Sequence, residues 1–122
     1  MAKELKLVLK KKWYDMIASG EKKEEYRAVT QYWWRRIISG EAWVSCDSYQ
    51  HQMSRRKKGP YWVRLRRRHD IVTFYLGYAK DRPSMTFNIS DLIIGNIGRQ
   101  EWGAEPGKDF FIIKLGERYE KK

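Results

Sequence analysis

Gly20-Glu21-Lys22-Lys23-Glu24-Glu25-Tyr26-Arg27 is the stretch from which the rest of the chain can be ordered. Before it, Trp13, Met16 and Ile17 stand at i, i+3 and i+4, the spacing of one face of a short helix. Gly20 then falls where a helix of two turns takes its left-handed C-cap. Within the stretch, Glu25 and Arg27 are two residues apart on an extended segment and so project to the same side. Lys22 lies just past the helix C-terminus, where the negative end of the helix dipole favours a cation.

Working outward, Leu5, Leu7 and Leu9 alternate along a first strand that precedes the helix. After the stretch, Thr30 is placed to cap a second helix that contains Trp33, Trp34, Ile37 and Ile38 and closes at Gly40. Ile71 to Ala79 is rich in β-branched and aromatic residues and reads as a strand, and Ser84–Ile89 and Asp91–Ile94 read as two more, broken by a turn. Phe110 to Leu115 is an almost unbroken apolar run, as expected of a strand paired on both sides, and residues 117–122 form a charged tail expected to fray. Two short N-terminal helices and five to six short strands describe an α+β protein, a small β-barrel with helical decoration.

The length of 122 residues suits one domain, and 42% hydrophobic residues with 6 Trp, 8 Tyr and 4 Phe exclude a disordered basic tail. No apolar run approaches the roughly 20 residues that cross a bilayer, and the start of the chain lacks a signal peptide's apolar stretch, so a cytoplasmic, non-membrane protein is expected. Cys46, His51 and His69 form no zinc-binding spacing, so neither a metal nor a cofactor is expected. Cys46 reads as a small half-buried hydrophobe rather than a nucleophile.

The 26 Lys and Arg against 15 Asp and Glu give a net charge of +11. Between His51 and His69, Arg55, Arg56, Lys57, Lys58, Arg64, Arg66, Arg67 and Arg68 occur with no acid among them, so this stretch alone carries eight of the eleven charges. The part around residues 50–60, with Gly59-Pro60, reads as a basic loop. Tyr61-Trp62-Val63-Arg64-Leu65-Arg66 reads as a strand that buries Val63 and Leu65 and aligns Arg64 and Arg66 on its other face. Arginines beside Tyr61 and Trp62 combine phosphate contact with base stacking, the two ingredients of single-strand binding.

Gly20, Lys22, Glu25 and Arg27 fit the pattern G-x-K-x-x-E-x-R, set between a short helix and a strand. In this order of elements the chain resembles the ASCH family of the PUA-like superfamily, small β-barrels that mostly bind or act on RNA. The resemblance extends over nearly the whole chain and is weakest between Ser45 and Arg68. It implies a single domain over residues 1–122 that binds RNA or a nucleotide-derived ligand in a cleft holding Lys22, Glu25 and Arg27, with Trp33 at its wall and the basic stretch alongside. The alternative it implies is a hydrolase in the same cleft, an amidohydrolase on acylated nucleosides or a ribonuclease, with Lys22 and Glu25 as catalytic residues. Glu25 stands where the amidohydrolases carry a threonine nucleophile, which argues against that activity. Their further glutamate has no assigned counterpart, Glu101 and Glu105 being the acids of note in that region. Trp33 and Trp34 are read as split between cleft wall and core, and Trp102 either covers the cleft or pins its own loop.

Overall fold

The computed structural model describes residues 3–38, 49, 51 and 59–120. Cys46, Gly40 and the basic loop residues Arg55, Arg56, Lys57 and Lys58 lie outside the described residues. The described chain runs β1 (Glu4–Leu9), α1 (Lys11–Ala18), β2 (Glu24–Ala28), α2 (Gln31–Ile37), β3 (Trp62–Arg64), β4 (Ile71–Leu76), β5 (Ser84–Gly95), a 3₁₀ turn (Gln100–Trp102) and β6 (Phe110–Arg118). The strands form one mixed sheet in the order β1-β4-β5-β6-β2, with β3 on β5. Only β1 and β4 are parallel. The sheet curls into a half-barrel whose outer strands are β1 and β2, giving the α+β fold expected of a small PUA-like barrel with short helices.

The period-2 pattern of β1 places Leu5, Leu7 and Leu9 in the main core with Ile17 of α1, Trp34 and Ile37 of α2, and Phe74, Phe111 and Ile113 of the sheet. In β6, Phe111 and Ile113 face this core, while Phe110 and Ile112 enter a second apolar cluster with Tyr26, Trp102 and Ala104. That two-faced burial explains its unbroken apolar sequence, and its pairing with both β5 and β2 makes it a central strand. The Thr30 side chain accepts the Trp33 N–H and caps α2, as its position predicts. Helix α1 ends through Ser19, and Gly20 follows at φ +85°, the left-handed conformation read from the sequence.

Four expectations are corrected. Ser84–Ile89 and Asp91–Ile94 are not two strands but one, β5, in which Asn88 and Ser90 fall at register shifts against β6. A bulge absorbs these turn-forming residues without interrupting the strand. Val63 is not buried: β3 is three residues long and exposed throughout, with Val63 37% and Trp62 48% accessible. Helix α2 ends at Ile37, because Ile38 turns extended and bridges to Arg67. The tail does not fray from residue 117, since Glu117 and Arg118 belong to β6 and the Tyr119 N–H donates to Thr86 O at 2.8 Å.

Among the described residues no helix is long and apolar enough to cross a membrane. Replacing the fully buried Phe111 with Ala is expected to cost about 3–5 kcal/mol in urea denaturation, against about 1 kcal/mol for Thr30→Ala, which removes only a helix cap.

Candidate functional site

Lys22 leaves the end of α1 through a turn in which its N–H donates to Met16 O at 3.0 Å, so the backbone fixes where its side chain starts. Its ammonium donates to Trp102 O at 2.7 Å and pairs with Glu25 Oε1 at 2.9 Å. The same nitrogen lies 4.4 Å from the Trp13 ring centroid and 5.5 Å from that of Tyr26, positions where the ring faces attract a cation. Glu25 Oε2 accepts from Arg27 Nη2 at 2.7 Å, and the same Nη2 donates to Val8 O at 3.1 Å. Glu25 and Arg27 thus share one side of β2, as their spacing predicts.

These charges are not a solvated surface set. The side chains of Lys22, Glu25 and Arg27 are 2%, 6% and 17% exposed. Two cations and one carboxylate leave a net positive charge in a place water barely reaches. Such a charge is retained only where partners compensate it, and each bond of the triad supplies part of that compensation. Arg27 Nε is the exception: it is buried and has no hydrogen-bond partner.

The triad lines a cavity of about 260 Å³. Its other walls come from β1 (Val8 and Leu9), Lys10, Trp13 of α1, Tyr26 of β2, Trp102 of the 3₁₀ turn, Gly103 after it, and Phe110 of β6. Gly103 is left-handed at φ +107°, and a Cβ there would meet the Trp13 ring at 3.2 Å. The glycine therefore lets the turn close against Trp13 while presenting Trp102 O to Lys22. The Tyr26 hydroxyl donates to Glu24 Oε1 at 2.8 Å and accepts the Arg99 N–H at 2.9 Å, and burial raises its pKa well above the ordinary tyrosine range. Its hydroxyl is thus held from two sides as part of the cavity wall.

Trp33 does not line the cavity. Its ring backs Arg27, whose guanidinium carbon is 4.9 Å from the ring centroid, while Trp34 enters the main core. Trp102 does both things proposed for it: it is buried in the second apolar cluster and borders the cavity. Glu101 and Glu105 are exposed and pair with Arg99 and Lys108, away from the cavity lining. Sequence spacing alone does not mark Trp13, Tyr26 and Phe110 as cavity walls. Trp13 carries a signal, since it stands on the helix that ends at the motif, but Phe110 and the Trp102 carbonyl reach the site only through tertiary folding.

The basic stretch is divided by the fold. Arg64 pairs with Asp91 at 3.1 Å and lies over Trp62, with its guanidinium carbon 5.3 Å from the ring centroid. Tyr61 is half-buried, its N–H held by Asn96 Oδ1 at 2.9 Å, and burial raises its hydroxyl pKa. Arg66 is exposed, Arg67 donates to Ile89 O, and Arg68 donates to Arg35 O at 3.1 Å. Among the described residues no cluster of His, Cys, Asp or Glu is arranged to hold a metal ion.

No family model, curated protein or solved structure matches the chain. Removing Glu25 alone leaves Lys22 and Arg27 as buried, uncompensated cations, so Glu25→Leu is expected to destabilise the fold by about 3–5 kcal/mol in urea denaturation. The double variant Lys22→Met with Glu25→Leu is expected to cost less than Glu25→Leu alone, because one of the stranded cations goes with the carboxylate.

Proposed function

We propose that the Lys22–Glu25–Arg27 cavity binds a nucleotide-class ligand, one base of an RNA or other nucleic acid or the corresponding free nucleotide. The observation that carries this reading is the buried Lys22–Glu25–Arg27 triad, with its net positive charge, in the wall of an aromatic-lined cavity. A positive charge kept from water is stabilised by a strongly accepting or anionic ligand group. Glu25 makes one bond from each oxygen and retains lone pairs, so it offers an acceptor beside the Arg27 guanidinium. A donor next to an acceptor is what the hydrogen-bonding edge of a nucleobase requires, and Trp13, Tyr26, Trp102 and Phe110 supply apolar surface against which a planar ring can pack.

Size supports a single-base occupant. About 260 Å³ lies just below the roughly 300 Å³ at which small-molecule pockets usually begin, so one base fits better than a longer segment. Lys22 is not the ligand's donor in this account. Its ammonium is committed to Trp102 O and Glu25, and its role is to hold Glu25 and the Trp102 turn in place. The exposed Trp62 and the arginines from Arg55 to Arg68 would extend contact along a strand, and a cytoplasmic location accompanies the reading. The motif order shared with ASCH domains also supports it.

The hydrolase alternative has less behind it. No hydroxyl nucleophile, thiol or imidazole is among the described residues lining the cavity, the Tyr26 phenol being neutral and tied at both ends. Both Glu25 oxygens are engaged by cations.

Binding of nucleoside monophosphates followed by tryptophan fluorescence tests this, because Trp13 and Trp102 border the cavity. Saturable quenching is expected for the wild type. Arg27→Gln is expected to weaken it at least about tenfold and Arg27→Lys to restore it only partly, since a lysine returns the charge without the fork. Equal affinity in wild type and Arg27→Gln would contradict the reading.

A further inference from the structure

A second cavity, of about 280 Å³, opens on the other half of β1. It is lined by Lys6 of β1, Arg35 and Arg36 of α2, and Arg68 and His69 from the segment before β4, with Glu4 as its one carboxylate. Three separate parts of the chain contribute its cations, and four positive side chains face one acid. Among the described residues none of the four forms an ion pair. Arg36 is held by backbone and ring contacts, donating to Lys6 O at 3.2 Å and to the Tyr32 hydroxyl at 2.9 Å. Arg68 is held by Arg35 O. The Glu4 carboxylate accepts from the Thr73 hydroxyl, which draws it toward the sheet.

Like charges gather in this way at a cost unless an anion joins them. Backbone carbonyls can orient Arg36 and Arg68, but they cannot neutralise them. The crowding also acts on His69: burial, then Arg68 and Arg36, hold its pKa below the ordinary histidine value, opposed by Asp70 and reinforced by Lys3.

The two cavities are linked. Leu9 O and Lys3 O accept from the β4 side, so alternation turns the Lys6 and Val8 carbonyls to the outer edge of β1. Arg36 caps the first and Arg27 the second, two residues apart and so roughly 7 Å along the strand. Both guanidiniums lie over the Trp33 ring, that of Arg27 at 4.9 Å and that of Arg36 at 5.6 Å from its centroid.

We propose that the cavity of Lys6, Arg35, Arg36, Arg68 and His69 is a separate phosphate-binding site, which holds a backbone phosphate of a single nucleic-acid strand running along the outer edge of β1. The proposal rests on the binding reading above for the kind of ligand, but not on occupation of the first cavity. Arginine forks match phosphate oxygens, and a neutral His69 adds a donor that becomes a cation once the anion is present.

The test uses the full chain with a single-stranded oligouridylate, inorganic phosphate and uridine as probes. Among the described residues the exposed Lys6 and Arg35 side chains make no hydrogen bond or ion pair, so Lys6→Ala with Arg35→Ala is expected to leave the fold intact. The double variant is expected to bind the strand about tenfold more weakly, and the slope of log affinity against log salt is expected to flatten by about 0.7 for each phosphate that is no longer neutralised. Its affinity for uridine, which carries no phosphate, is expected to equal the wild type's. In the wild type, adding the strand should raise the pH at which the His69 imidazole titrates by NMR. Unchanged strand affinity and slope in the double variant, or a His69 titration that the strand does not move, would overturn the proposal. Inorganic phosphate binding as tightly as the strand would also overturn it, by making the site one for the free ion. Failure of the first-cavity reading looks different: uridine does not bind, while strand binding still depends on Lys6 and Arg35.

Discussion

The Glu25 carboxylate, held between the Lys22 ammonium and the Arg27 guanidinium, is the contact on which the geometry of the half-barrel's open side depends. Its two cations reach four different elements. Lys22 connects the end of α1 to the turn that carries Trp102, and Arg27 carries β2, one edge of the sheet, to the Val8 carbonyl of β1, the other edge. A curled sheet with two free edges has unpaired carbonyls to satisfy and nothing in its own ladder to satisfy them. Here a side chain spans that gap, and because the span is buried and charged it tolerates little displacement. The cavity is a consequence: its floor is the same triad that ties the edges, and its walls are the aromatic rings that exclude water from it.

Much of the fold could be read from local pattern. The alternation of Leu5, Leu7 and Leu9, the Thr30 cap, the Gly20 stop and the two-faced apolar run from Phe110 are signals that nearest neighbours settle, and each element stands where its pattern puts it. The errors arise where tertiary pairing overrides local preference. Asn88 and Ser90 favour a turn when taken alone, but β5 is flanked by β4, β3 and β6 and takes them up at register shifts. Val63 has strand character, but a three-residue strand does not bury it. For the site, residue spacing placed Glu25 and Arg27 side by side and Lys22 near them. It offered no means of seeing that the group would be buried, because the cavity walls include Trp102 and Phe110, and Trp102 is 80 residues along the chain from Lys22.

The net charge of +11 also changes meaning. Along the chain, eight cations between His51 and His69 look like one polyanion-binding stretch. In space, the described members separate: Arg64 is neutralised by Asp91, Arg67 fastens to β5, and Arg68 leaves its sequence neighbours to join Lys6, Arg35 and Arg36 beside β1. Among the described residues, four cations without an ion pair therefore gather beside one outer strand, and Arg27, Trp33 and Arg36 lie along that strand near both cavities.

A nucleotide in the first cavity would lie against the Arg27 guanidinium. Following the Arg27 side-chain N–H resonances by NMR, while uridine monophosphate is added to the intact protein, tests this most directly. A saturable shift of the Arg27 signals is expected as the ligand fills the cavity. A signal that stays in place while the nucleotide binds, with shifts confined to the exposed arginines of β3 and its flanks, would contradict it.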